Sequence, residues 1–298
     1  MNGIIAINKP KNFTSFDVIA ILRKKFNQKK IGHMGTLDPM ATGVLPVLLG
    51  SSTKFQVFTS ETEKEYTCEI HLGIITDTWD IWGNTVNTQT SNVNIEALKD
   101  SLLNFKGKIK QVPPMYSAIK KNGVKLCDLA RKGEEIEREP REIFIKSLKL
   151  IEFNEASQTG KLKILCSKGT YIRSLCYDIG KQLGVGASMG NLCRNLSNSF
   201  KLSETMPLEK INDFKLEEII EQFVFPTDRL FKNNNSVNIT VPQSNLFKNG
   251  GSLMLSRLRF DFPPTDNEII KLYSEGKFIG IGKVDINNQI LKYLKCES

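Results

Sequence analysis

The stretch GHMGTLDPMATGVLPV, residues 32 to 47, sets a single carboxylate, Asp38, between Gly35-Thr36-Leu37 and Pro39. An aspartate in that setting has two uses. It bonds nearby backbone N–H groups and closes a turn, or it is offered to a cleft as a nucleophile or general base. Other stretches carry complementary chemistry. LGIITDTWDIWG holds Asp77 and Asp80, and CSKGTYIRSLCYDIG puts Tyr171 and Arg173 where a strand gives way to a helix. Residue chemistry alone leaves open an aspartate-dependent glycosylase or hydrolase. The six cysteines have no C-x-x-C spacing, and the two histidines, His33 and His71, are far apart in sequence. No zinc site is therefore expected, and the cysteines read as reduced, mostly buried small hydrophobes.

These residues must be positioned by regular elements. GIIAIN (3 to 8) is a short strand ended by Lys9-Pro10. TSFDVIAILRKKF predicts a helix capped by Thr14 with Asp17 three residues on, and Val18, Ile21, Leu22 and Phe26 fall at helical spacing. VLPVLLG reads as a buried strand and STKFQVF as a short helix. EKEYTCEIHLG (63 to 73) alternates, so Tyr66, Cys68, Ile70 and Leu72 share an inward face. NIEALKDSLLNF (94 to 105) predicts a capped amphipathic helix, and Asn122-Gly123 a hairpin. REIFIKSLKLIEF and KLKILCSKG follow as strands, then a helix from TYIRSLCYDIGKQLG closed by Gly184. Mixed strands and helices with several hairpins predict an α+β fold on a largely antiparallel sheet. FKNNNSVN (231 to 238) reads as a linker, and VNITV, KFIGIGKVD and QILKYLKC as pieces of a small β-rich module.

With 298 residues and 40% hydrophobic content the chain can bury a substantial core. No stretch approaches the roughly 18 to 20 apolar residues of a membrane helix, and the apolar run at the start is too short for a secretory signal. A cytoplasmic protein with no membrane association is expected. Lysine plus arginine outnumber aspartate plus glutamate 41 to 32, a formal charge of +9, which favours a polyanionic partner. Basic clusters at 22 to 30, 106 to 110 and 119 to 125 are candidates for phosphate contacts.

From INKP through GHMGTLDPMATGVLPVLLG, the Tyr66 strand, LGIITDTWDIWG and CSKGTYIRSLCYDIG to NLCRNL, the chain resembles in order and spacing the tRNA pseudouridine synthases of the TruB type. The resemblance implies a pseudouridine synthase catalytic domain over 1–232, with an insertion at about 115–141 that closes over the RNA stem-loop. It further implies a PUA-like RNA-binding module over 239–298 that adds contacts to the acceptor end. The implied reaction isomerises the uridine at position 55, in the T-loop of tRNA. The base is detached from C1′, rotated and rejoined through C5, with no metal or cofactor.

In that reading Asp38 works on the ribose of an extruded nucleotide, either attacking C1′ or taking the C2′ proton. Burial disfavours an ionised carboxylate, so Arg173 is the expected counter-charge; a pair at about 4 Å is worth on the order of 4 kcal/mol at an effective dielectric near 20, before desolvation. Tyr66 matches the tyrosine that stacks on the flipped base and exchanges a proton at C5. Asp80 matches a carboxylate that contacts the base, although Trp79 beside it, and Ile74-Ile75 before Thr76, depart from the expected pattern. His33 matches the residue that fills the space left by flipped bases, with Gly32 and Gly35 letting the backbone come close. Tyr171 and Leu192 match the walls of the uracil pocket. Lys9 and Pro10 match the motif that supports the catalytic loop, Lys9 being grouped with the substrate-side residues. A stand-alone monomeric enzyme acting on the T-stem-loop is expected; a tRNA-folding chaperone of the same fold is the rival.

Overall fold

The computed structural model describes residues 1–59, 63–121 and 123–297. Its framework is an 11-stranded sheet whose main path runs Met206–Pro207, Gly3–Lys9, Thr42–Leu49, Ala187–Ser197, Lys64–Leu72, Thr159–Cys166, Arg141–Asn154 and Gly107–Gln111. All but two neighbours on that path are antiparallel. The exceptions are Gly3–Lys9 against Met206–Pro207, and Thr42–Leu49 against Ala187–Ser197. The second of these is a seam of just two residue pairs, Cys193 with Thr42 and Arg194 with Gly43. The seam joins the two halves of the sheet, and the Asp38 loop enters it directly.

Local signals set the elements that flank the seam. Thr14 caps the helix Ser15–Lys25 in a reciprocal box with Asp17, and Val18, Ile19 and Leu22 turn to the core while Ile21 is half-buried. Tyr66, Cys68, Ile70 and Leu72 are buried along Lys64–Leu72 as the alternation requires. The helix Ile95–Leu103 starts at Asn94, whose side chain accepts from the Ala97 N–H. The STKFQVF segment is the 3-10 helix Gly50–Phe58, and Gly184, at φ +76, ends the helix Ile172–Gln182. Lys120–Lys121 pairs with Val124–Lys125 around Gly123 at φ +84; Asn122 lies outside the described residues. The cysteines carry no disulfide, and four of the six are buried.

The carboxy-terminal part differs from expectation in two places. Residues 231–238 are not a plain linker: Phe231 is buried against Phe55 and Ile281, and Ser236–Asn238 pairs in parallel with Ile269–Ser274 at the edge of a five-stranded sheet. Asparagine-rich composition signals solvated backbone, but three residues suffice for an edge strand. VNITV is likewise strand only as far as Asn238. Thr240 then caps the helix Val241–Lys248 in a box with Gln243, with Pro242 in its first turn. Among the described residues no helix is long and apolar enough to cross a membrane.

Candidate active site

Asp38 stands in a loop whose backbone is held at every carbonyl. Arg194 donates from Nη2 to Gly35 O (3.2 Å) and from Nη1 to Thr36 O (3.3 Å), while its Nε bonds Val44 O (2.8 Å). Ser15 Oγ donates to Leu37 O (3.3 Å) and accepts from Leu37 N (3.0 Å). Asp38 O accepts from Ala41 N (3.0 Å), and Pro39 O accepts from Asn12 N (2.9 Å) and from Lys9 Nζ (3.1 Å). The aspartate therefore sits in a turn, and the turn is braced by two buried cations from opposite sides. Neither a helix nor a strand constrains residues 36 to 38. Hydrogen bonds, most of them from residues distant in the chain, supply the rigidity.

The glycines of this stretch divide by what surrounds them. A Cβ on Gly43 would lie 2.3 Å from Arg194 O, and its φ is +101, so only glycine lets the two strands of the seam approach. Gly35, at φ +85, is roofed by the Lys64 ammonium, 3.1 Å from where its Cβ would stand. Gly32 is different: a Cβ there meets no protein atom nearer than 3.8 Å and φ is ordinary, so nothing within the protein requires glycine at that position.

Arg173 closes the site from the first turn of the helix Ile172–Gln182. Its Nε lies 3.0 Å from Asp38 Oδ2 and 3.8 Å from Asp80 Oδ2; its side chain is 6% exposed against 41% for Asp38 and 15% for Asp80. Its Nη1 bonds Thr78 O (3.2 Å) and its Nη2 bonds Tyr116 O (2.7 Å). One planar guanidinium thus ties together the aspartate loop, the Asp80 loop and the start of the insertion, a use that a lysine point charge could not reproduce. Asp80 also accepts from Thr78 Oγ1 (2.8 Å) and Trp82 N (3.2 Å). Burial nevertheless pushes its carboxyl pKa up, with Thr78, Arg173 and Trp82 pulling against it.

Asp38, Lys64, Tyr66, Tyr171, Arg173, Met189 and Leu192 line one pocket of about 240 Å³. Burial pushes the Tyr66 phenol up, opposed by the charge and hydrogen bonding of Arg194. Burial also raises Tyr171, opposed first by Ser117. The Tyr171 backbone is clamped by Gln111, whose amide bonds both its N–H (2.8 Å) and its carbonyl (3.0 Å). Lys64 is lowered to about 8, first by burial and then by Arg194. A larger cleft of about 570 Å³ opens from Asp38 and Arg173 toward Phe16, Trp82 and the insertion residues Lys125 and Arg131.

Asp38, Tyr66, Tyr171, Arg173 and Leu192 are therefore brought to one pocket, and Asp80 to its edge. His33 is not in that pocket. It lies on the strand Ile31–His33, edge-on to Phe16 with ring centroids 5.7 Å apart. Its Nδ1 is buried without a hydrogen-bond partner, and burial, then Arg194, lowers its pKa. Lys9 supports the loop as its motif implied, while its grouping with the substrate-side residues is corrected: it is 0% exposed and its ammonium is spent on Pro10 O, Phe13 O and Pro39 O. Burial lowers its pKa to about 8, offset in part by Asp38. Asp77 is a turn residue, accepting from both nitrogens of Asn84. Sequence reading missed Arg194 and Lys64. An arginine within NLCRNL looks like any charged strand residue, although the alternation of that strand would have placed it beside Leu192 on the inward face. Trp79, which departs from the expected pattern, lies flat on Tyr177 (4.3 Å, 14°) under Arg138 of the insertion (5.4 Å).

The sheet with its seam holds an aspartate, paired with a buried arginine, beside an inward tyrosine, and comparison with known proteins shows the class of enzyme to which this arrangement belongs. Residues 23–172 match the TruB family pseudouridylate synthase N-terminal domain, and 173–232 match the tRNA pseudouridylate synthase B C-terminal domain. The chain is 45% identical over 284 residues to tRNA pseudouridine synthase B of Clostridium tetani, covering 95% of this chain and 96% of that one. To the protein of the same name from Clostridioides difficile it is 38% identical over 297 residues, covering 98% and 97%. The fold is also that of a solved H/ACA RNP bound to a substrate RNA containing 2'-deoxyuridine, at TM-score 0.74 and 21% identity, over 99% of this chain and 84% of that one. A Cbf5-Nop10-Gar1 complex aligns equally well, at TM-score 0.74 and 24% identity over the same shares. The chain belongs to the TruB family of pseudouridylate synthases. Its reaction is the family's isomerisation of uridine in tRNA to pseudouridine.

Proposed function

We propose that the chain isomerises the uridine at position 55, in the T-loop of tRNA, by drawing it out of its stack into the Asp38 pocket. The observation that carries this reading is the Asp38–Arg173 pair, 3.0 Å apart, in a pocket walled by Tyr66, Tyr171 and Leu192. The reaction breaks C1′–N1 and makes C1′–C5; the C5 proton is lost and N1 gains one, so no oxidant, reductant or leaving group is needed. Asp38 acts at the ribose, held in place by Arg173. Tyr66 stacks on the uracil and exchanges the C5 proton; to accept it the phenol first gives up its own, which burial opposes and the nearby Arg194 charge favours. Asp80 meets the polar edge of the base, while Tyr171 and Leu192 close its faces away from water. His33 and Phe16 stand outside the pocket, where His33 occupies space left in the RNA stack; filling it offsets part of the few kcal/mol that extrusion costs.

The insertion, 115–141, closes on the stem-loop, and residues 239–298 form an RNA-binding module of the PUA type appended to a catalytic domain over 1–232. The net charge of +9 supports phosphate contacts along this path. The chain acts in the cytoplasm as a monomer without a protein partner. The test uses purified protein and an unmodified T-stem-loop carrying C5-tritiated uridine. Wild-type protein alone releases tritium, and Asp38→Asn releases none while binding the RNA as before. Full activity in Asp38→Asn, or release from a uridine other than 55, overturns the proposal.

A further inference from the structure

The cleft beside Asp38 carries two features the reaction itself does not use. Of seventeen phenylalanines and two tryptophans, all within the described residues, just three are exposed: Phe16 at 69%, Trp82 at 38% and Phe144 at 45%. Phe16 and Trp82 line the same 570 Å³ cleft as Asp38 and Arg173. The third, Phe144, borders a separate groove whose Lys108 and Lys146 are paired with Glu142 and Glu63. Two of the three exposed rings thus share the cleft of Asp38.

Neither ring serves the core. Phe16 is the second residue of the helix Ser15–Lys25, whose Val18, Ile19 and Leu22 supply the packing, and its ring touches the His33 ring in an edge arrangement at 5.7 Å. Trp82 follows Asp80 by two residues and has the Lys11 ammonium 5.5 Å from its centroid. Lys11 is itself bonded to Asn191, which fixes it beside the ring. A flat apolar face next to a cation is what an unstacked nucleobase and its phosphate require; Lys125 lines the same cleft, as does Arg131, which is paired with Asp128. Drawing one uridine out of its stack strips a neighbour from the base on each side. A protein ring that takes the vacated face restores that contact without reading base identity.

We propose that Phe16 and Trp82 are stacking platforms for the bases flanking the extruded uridine. This rests on the Asp38 pocket being the uridine site. KM and kcat for tritium release from the T-stem-loop are measured together with the Kd of the same RNA by fluorescence anisotropy. Phe16→Ala and Trp82→Ala each raise KM and Kd roughly tenfold, within the range of base stacking on aromatic side chains, and leave kcat at saturating RNA within about twofold. Phe16→Trp and Trp82→Phe restore the affinity; Phe16→Leu, apolar but not flat, does not. Val57→Ala, at the most exposed large apolar side chain (81%) and outside both clefts, changes nothing. Unchanged Kd in both alanine variants, or full rescue by Phe16→Leu, overturns the platforms. If wild-type protein releases no tritium, the Asp38 reading fails, and Kd still decides the platforms.

Discussion

Replacing Arg194 by methionine isolates what holds Asp38 in place. The arginine is 0% exposed and makes three hydrogen bonds to carbonyls, one short (2.8 Å) and two longer (3.2 and 3.3 Å). A hydrogen bond to a charged group is worth about 1.5 to 3 kcal/mol and a weaker one nearer 1 kcal/mol, so the set contributes roughly 4 kcal/mol. Methionine fills most of the volume and removes a buried charge, which returns part of the desolvation penalty; the net loss is about 2 to 4 kcal/mol. At about 2 to 4 °C per kcal/mol for a domain of this size, Tm falls by roughly 4 to 16 °C. The larger effect falls on chemistry. Gly35 O and Thr36 O lose their donors, the loop relaxes, and a displacement of about 1 Å at a reacting group costs on the order of 100-fold in rate. Single-turnover tritium release should drop at least that far. RNA affinity should hold, because Arg194 offers no surface to a ligand. Thermal denaturation, single-turnover kinetics and filter binding on one preparation separate the three quantities. A variant with kcat within threefold of wild type and stability within about 1 kcal/mol would refute the bracing argument.

Lys64 is an ammonium below about pH 8 and an amine above it. Its charge in the pocket wall is lost as pH rises, so kcat/KM, which reports the free enzyme, should fall through about 8. Lys64→Arg keeps its charge and should move that limb upward; a limb that stays near 8 belongs to Lys9, whose value is the same. Trp79→Ala removes a stack and a cation–π contact worth together about 1 to 2.5 kcal/mol. It frees the insertion at Arg138 and should raise KM for RNA about tenfold, with Trp79→Phe recovering most of it; equal KM values in the two variants would count against the stack as a clamp on the insertion.

What the sequence determined by itself was whatever neighbours in the chain decide. Thr14 with Asp17 specified a helix start, and alternation placed Tyr66 on an inward face. The motifs around Asp38, Tyr66 and Arg173, GHMGTLDPMATGVLPVLLG above all, carried a resemblance to a family before any distance was known. Only tertiary structure decided how Asp38 is held, because its supports come from far along the chain: Arg194 reaches Gly35 across 159 positions and Lys9 reaches Pro39 across 30. The same limit explains why Lys9 looked like a substrate contact, since burial of an ammonium among carbonyls leaves no local signature. It explains too why Gly32 and Gly43, both on paired strands, differ in necessity: a Cβ at Gly43 would strike the Arg194 backbone across the seam, whereas one at Gly32 would meet nothing nearer than 3.8 Å. Short-range propensity fixes which elements form. The seam between the sheet halves fixes which side chains become neighbours, and the buried cations at that seam turn a surface aspartate into a positioned one.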